Sequence, residues 1–188
     1  MDVAGPASER YGLEINPTYE ITNYLELYGS FSANHARFTS PFDDGTGHLG
    51  TFITDAPVTA GSLALYLHDL GPWSGGLMYR YLGNYPLSSG PCDNSSGFPG
   101  VTSCANAPTV LGQINGKGYR QLNLDVHYAL PQGWIASVGI FNLLNTHAPA
   151  AEFWYVDRLP SEGQLGQADI HQHPLEPFMI RFAFAKQF

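Results

Sequence analysis

Residues Tyr119–Tyr128 read YRQLNLDVHY, and the fold follows from their alternation. Leu122, Leu124, Val126 and Tyr128 occupy one face of an extended chain, and Gln121, Asn123, Asp125 and His127 occupy the other. The same period of two sets Leu25, Leu27, Gly29 and Phe31 against Tyr24, Glu26, Tyr28 and Ser30. It also sets Leu63, Leu65 and Leu67 against Ser62, Ala64, Tyr66 and His68. Near the end of the sequence Phe178, Ile180, Phe182 and Phe184 alternate with Met179, Arg181, Ala183 and Ala185. Seven strands are predicted: 11–21, 24–37, 60–68, 73–83, 118–128, 134–143 and 178–188. The pattern gives no helix.

Composition bounds the reading. The chain has 188 residues, 44% of them hydrophobic and 13% charged, with 21 Gly and 14 Pro. It is too apolar for disorder and too broken by Gly and Pro for a helix bundle. Eight Lys+Arg against 16 Asp+Glu give a net charge of -8, which speaks against a nucleic-acid partner. No apolar run approaches the roughly 18 to 20 residues of a spanning helix, and Met1-Asp2 does not open a secretory leader. Length and composition alone would suit one soluble β domain.

The connections point elsewhere. Thr22-Asn23, Asp69–Pro72 and Ala129–Gly133 are hairpin-length turns, whereas residues 38–59, 84–117 and 144–177 form loops of 22, 34 and 34 residues. Short and long connections therefore alternate and fall at opposite ends of the sheet, as in outer-membrane barrels. Strands of about ten residues match the roughly 9 to 11 that a tilted strand needs to cross a bilayer. Tyr11, Tyr24, Trp73, Tyr81, Tyr128 and Trp134 sit where strands meet connections, which suits an interfacial girdle. Seven antiparallel strands leave the first and last running the same way, so the sheet is expected to be part of a larger antiparallel up-and-down barrel, incomplete in itself.

Several segments carry a family resemblance. GYRQLNLDVHYALPQGWIASVGIFNLLN (Gly118–Asn145) resembles the penultimate hairpin of TonB-dependent outer-membrane receptors, including the tetrad Asn142-Leu143-Leu144-Asn145, with Leu where Phe is usual. YGLEINPTYEITNYLELYGSFSANHARF (Tyr11–Phe38) and GPWSGGLMYRYLG (Gly71–Gly83), the latter preceded by Asp55-Ala56-Pro57, are similar to earlier hairpins of that family. FMIRFAFAKQF (Phe178–Phe188) is similar to its terminal aromatic strand, read by the outer-membrane assembly machinery through Phe182, Phe184 and Phe188. Lys186 departs from that pattern.

The resemblance implies a 22-stranded barrel around an N-terminal plug, energised through the inner-membrane protein TonB. It further implies uptake of a scarce ligand such as an iron-siderophore complex in a Gram-negative outer membrane. Residues 1–10 are then expected to be a loop remnant and 11–188 the C-terminal strands. The plug and the TonB-contacting segment would lie on a missing upstream part, and this portion would not transport alone. The implied partners are the lipid bilayer, the remaining barrel strands, the plug, TonB and the assembly machinery; no cofactor is implied. A small stand-alone β-barrel with a binding or structural role is the alternative.

Candidate site residues follow from position. Glu26, Tyr28, Asp125, His127 and Arg181 are on the polar strand face and are candidates for lumen-facing contacts to ligand or plug. Phe153, Trp154 and Tyr155, with Arg158 nearby, form a loop cluster suited to flat ligands or sugars, or to anchoring on the barrel's own rim. Cys92 and Cys104, with eleven residues between them, are a candidate disulfide that would stiffen its loop by about 3 kcal/mol on the chain-entropy argument; free thiols are the alternative. His171 and His173 could share a metal if extended, although two solvated histidines are the commoner outcome. No nucleophile elbow, phosphate-cradling glycine motif or zinc spacing is present, so an enzyme is not expected.

Overall fold

A computed structural model describes residues 5–43, 49–91, 109–110, 113–161 and 167–186. Its main sheet is a meander. The strands are β1 (Ser8–Ile15), β2 (Thr18–Thr22), β3 (Leu25–Asp43), β4 (Leu49–Phe52), β5 (Thr59–Leu70), β6 (Trp73–Leu82), β7 (Tyr85–Pro91), β8 (Thr109–Val110), β9 (Gln113–Gly116), β10 (Tyr119–Leu130), β11 (Trp134–Phe141), β12 (Pro149–Asp157), β13 (Gln167–Pro174) and β14 (Met179–Lys186). The sheet runs β1-β3-β5-β6-β10-β11-β14, all pairs antiparallel, with β2 and β4 also on β3. The seven expected strands are thus present in sequence order. No described helix is long and apolar enough to cross a membrane.

Strand boundaries differ from expectation: β3 runs to Asp43, β5 to Leu70 and β10 to Leu130, past the expected ends at 37, 68 and 128. The first strand begins at Ser8, before the expected Tyr11, and is split at Asn16-Pro17. Proline has no N–H for the ladder and is tolerated on an edge strand. Pairing continues through the break in unchanged register, from Ile15 opposite Phe31 to Thr18 opposite Tyr28, because the Pro17 carbonyl still accepts from the Gly29 N–H at 2.8 Å. The sixth strand stops at Phe141, where Asn142 turns to a φ of 50°. The last strand begins at Met179, after the expected Phe178, and Phe188 lies outside the described residues.

The register stacks the apolar positions into continuous rows. Leu27, Leu65, Leu77, Leu124, Ile140 and Ile180 are linked pair by pair across the sheet, and so are Leu25, Leu67, Gly75, Val126, Val138 and Phe182. No described residue covers this face: Phe182 is 76% exposed and Phe184 63%, with Leu13, Ile15, Leu63 and Leu77 also exposed. At the short-turn end the rows finish in aromatic pairs, Trp73 against Tyr128 (4.6 Å between ring centroids) and Trp134 stacked on Phe184 (4.5 Å). Lys186 lies beyond them with its ammonium 5.4 Å from the Trp134 ring centroid, a snorkelling position that accounts for its departure from the apolar pattern.

The hydrophobic core lies among the long connections. Tyr85, Leu87 and Ile114 are buried together, with Leu82, Trp154 and Ile170 packed around them. These connections hold strands the periodicity did not reveal: β4 on β3, the three-stranded β7-β9-β8, and the β12-β13 hairpin. The short turns need little by comparison. Gly71 (φ 59°) turns β5 into β6, and Pro131–Gly133 is a 3-10 turn with Gln132 and Gly133 both at positive φ.

Asn142 joins the end of β11 to three other segments. It is fully buried. Its backbone N–H donates to Asn123 Oδ1 (2.9 Å), its amide nitrogen donates to the carbonyls of Thr146 (3.0 Å) and Glu176 (2.9 Å), and its amide oxygen accepts from the Thr146 N–H (2.9 Å). Its own carbonyl accepts from the Asn145 N–H at 2.7 Å. Only a short side chain that tolerates left-handed φ and both donates and accepts meets all of these demands. Asn142→Ala is expected to destabilise the folded sheet by about 3 kcal/mol, since three side-chain bonds go and buried carbonyls are left unmet. Urea titration in detergent micelles measures it; a loss under about 1 kcal/mol would show that water replaces the amide.

Candidate functional site: the polar wall and the loop platform

Opposite the apolar rows, the second sheet face is polar. Glu26 and Tyr28 on β3 face Tyr66 on β5, and the Tyr28 and Tyr66 rings meet edge-on at 5.6 Å. A concavity of about 690 Å³ opens there, lined by Glu26, Tyr28, Ser62, Tyr66, His68 and Met78 among others. On β10 and β11 the imidazole of His127 bridges two groups: Nδ1 lies 2.7 Å from Ser137 Oγ and Nε2 3.1 Å from Asp125 Oδ2. Arg181 is on the same face with its guanidinium 4.9 Å from the Phe141 ring centroid. The five expected lumen residues therefore share one wall but form three separate groups.

The loop cluster is divided by its own strand. In β12 successive side chains alternate, so Phe153 and Tyr155 face outward while Trp154 points to the buried Tyr85–Leu87–Ile114 cluster. Trp154 is therefore removed from the expected surface cluster and placed in the loop core. Arg158 is exposed, past the end of β12. What joins Phe153 and Tyr155 instead are the two histidines of β13. Tyr155 stacks on His171 at 3.8 Å with the rings 9° from parallel, and Phe153 meets His173 edge-on at 6.3 Å. His171 Nε2 is buried and has no hydrogen-bond partner among the described residues. No group of three metal-ligating side chains occurs among those residues. Cys92 and Cys104 lie outside them.

Sequence reading missed the residues that hold this platform up. The Glu152 N–H donates to the Tyr85 hydroxyl at 2.8 Å, and that hydroxyl donates to the Glu152 carbonyl at 3.3 Å. The buried Glu152 carboxylate accepts from the Lys117 N–H at 2.5 Å, and the Asp55 N–H donates to the Pro86 carbonyl at 2.9 Å. Three long connections are thereby tied together. The Tyr85 ring lies over Gly116, where a Cβ would come within 2.6 Å of it. Burial pushes the Tyr85 phenol above its usual value, against the lowering effect of its backbone hydrogen bond with Glu152.

Comparison with known proteins identifies the architecture. No protein-family model matches the chain, and no curated protein matches it at a significant level. Solved structures do. The ferric-catecholate import receptor Fiu of E. coli K12 superposes with a TM-score of 0.64 in its closed form and 0.58 in its open form, at 18% identity over 94% of this chain. The ferric yersiniabactin uptake receptor FyuA of Yersinia pestis superposes with a TM-score of 0.59, at 11% identity over 96% of this chain. The fold is that of a TonB-dependent receptor barrel. At these identities the likeness is one of fold. The chain spans 20% of the Fiu chain and 24% of the FyuA chain, and among the described residues its main sheet is open at β1 and β14.

Tyr85→Phe tests the tie between these connections. Losing the hydroxyl is expected to cost about 1 to 2 kcal/mol and to speed amide exchange in residues 149–157, with the main sheet unaffected. The pH dependence has a definite sign. A phenol whose folded pKa is raised contributes stability that is fully present below its ordinary value near 10.0, and that contribution falls as pH rises through the higher folded value. Beyond the rise that hydroxide catalysis gives both proteins, exchange in residues 149–157 should therefore accelerate more steeply above about pH 10 in the wild type than in the variant; equal acceleration in both would place the alkaline weakness elsewhere.

Proposed function

We propose that this chain is a C-terminal barrel sector of an outer-membrane receptor for TonB-energised uptake of a scarce ligand, such as an iron-siderophore complex. The observation that carries the reading is an apolar sheet face, exposed across seven sequential strands, in a sheet that superposes on receptor barrels. Soluble proteins rarely leave so large an apolar surface uncovered, whereas hydrocarbon is its natural neighbour. On this reading the short turns face the periplasm, the long connections face outward, and the polar wall lines the lumen. Phe153, Tyr155, His171 and His173 then form an aromatic surface for ligand, and Glu26, Tyr28, Asp125, His127 and Arg181 contact ligand or plug.

Parity limits what the sector can do alone. β1 and β14 run in the same direction, so antiparallel closure needs a complement with an odd number of strands. A 22-stranded barrel would supply fifteen, together with the plug and the TonB contact. Without them the sector has no enclosed lumen and no energy input, so no transport is expected from it.

Two measurements test this. The chain should aggregate in plain buffer and acquire protease-resistant β structure in micelles or vesicles; a monodisperse, cooperatively folding protein in buffer would overturn the reading. Arginine on the apolar face should also cost by depth. Leu65→Arg, in the middle of a row, is expected to lose about 2 to 4 kcal/mol, and Tyr81→Arg, at the loop-end rim, about 1 kcal/mol or less. Equal costs in vesicle-refolded protein would show that no bilayer surrounds this face.

A further inference from the structure

The apolar face carries a cation where its rows end at the long connections. Arg120 precedes Leu122 by two residues on β10 and therefore points to the same side as Leu122, Leu124 and Val126; its partner in register is Tyr81, the last outward aromatic of β6. Arg120 is exposed and makes no ion pair among the described residues, in a chain whose acidic residues outnumber its basic ones two to one. Beside it is a pocket of about 490 Å³ whose lining includes Tyr81, Asn84, Tyr119, Arg120, Leu144 and Thr146 and contains no carboxylate.

The pocket is shaped by small and polar groups. Gly83 and Gly118 lie in its wall and contribute no side chain. Asn84 turns its oxygen to the Gly118 N–H at 2.8 Å, which leaves its amide nitrogen to donate. A guanidinium, an amide and the hydroxyls of Tyr81, Tyr119 and Thr146 thus line one cavity. Below it the outward surface continues through Tyr79 and Leu122 into the apolar rows, and the exposed Leu144 flanks it. One side of the site suits an anion rich in acceptor oxygens, and the adjoining surface suits hydrocarbon.

We propose that Arg120 and this pocket bind the phosphate headgroup of an anionic membrane lipid at the loop-end boundary of the bilayer, with the lipid's acyl chains lying along Tyr79 and Leu122. The proposal rests on the bilayer reading above. A free phosphate would satisfy the guanidinium but leave the apolar continuation unused, which is why the lipid is favoured.

The full chain, refolded into vesicles of phosphatidylcholine and phosphatidylglycerol and extracted into mild detergent, tests it by native mass spectrometry. The wild type should retain phosphatidylglycerol in preference to phosphatidylcholine. Arg120→Gln should lower that preference about fivefold, in keeping with the worth of one cation near an anionic membrane surface. Arg37→Gln should leave it unchanged, since Arg37 lies over the Phe52 ring in a different part of the rim. Equal retention of the two lipids, or equal losses in both variants, would overturn the site, as would inorganic phosphate displacing the lipid at comparable concentration. Protease protection in the vesicles separates the two levels of failure. An unprotected wild type refutes the bilayer reading and the lipid site with it, whereas a protected wild type without lipid preference refutes the site alone.

Discussion

Hydrocarbon offers no partner to a peptide group, and on the proposed bilayer reading this constraint organises the chain. Every central strand of the main sheet must be paired on both sides, and its outward side chains must carry no unpartnered charge. β3, β5, β6, β10 and β11 meet the first demand. The linked rows from Leu27 to Ile180 and from Leu25 to Phe182 meet the second. Among the described residues the outward cations lie where rows end: Lys186 beyond Trp134, Arg120 beside Tyr81, and Arg37 over the Phe52 ring at the loop end of β3. The two edges, β1 and β14, are where the demand goes unmet within the described sheet, and their common direction dictates what could complete it.

A sheet whose apolar face is left uncovered has none to spare for a core, so the packed interior appears among the connections. There Tyr85, Leu87 and Ile114 do the work a sandwich would assign to facing sheets. The two organising points are different in kind. Asn142 is a turn residue whose amide gathers Thr146 and Glu176 and so positions the entry to β14 relative to the end of β11. The Tyr85–Glu152 pair links β7 to β12, two connections far apart in sequence, through a hydroxyl that both donates and accepts. One fixes where a strand starts; the other fixes how the platform sits over the strands.

Much of the barrel was legible because its determinants are local. A period of two in Tyr119–Tyr128 needs no knowledge of its neighbours to be read, and the register that unites the rows follows once the short turns are in place. The connections were less legible. β4 and β9 are four residues each, too short to establish a period, and β7 runs through Pro86 and Pro91, which argue against a strand when only sequence is in view. In β12 the signal was present: Phe153 and Tyr155 alternate with Glu152 and Trp154, and applying the strand rule there would have sent Trp154 inward. Asn142 was visible as part of a tetrad, but its role was not, because its partners Asn123 and Glu176 are distant in sequence. The aromatic-histidine contacts were hidden for the same reason, since they require β12 and β13 to be paired.

On the proposed reading, the distribution of already satisfied groups bears on where selectivity would reside. On the polar wall, His127 has partners on both nitrogens, Asp125 is one of them, and Arg181 is spread on Phe141. A ligand competing for these groups must displace an existing interaction, so its gain is the small difference between two hydrogen bonds. The outer platform differs. Phe153 and Tyr155 remain exposed after stacking with His173 and His171. Exposed ring surface can be covered by a ligand without first breaking a bond, so each favourable contact there counts in full. A wall of satisfied polar groups suits passage, and a platform with unspent contacts suits recognition.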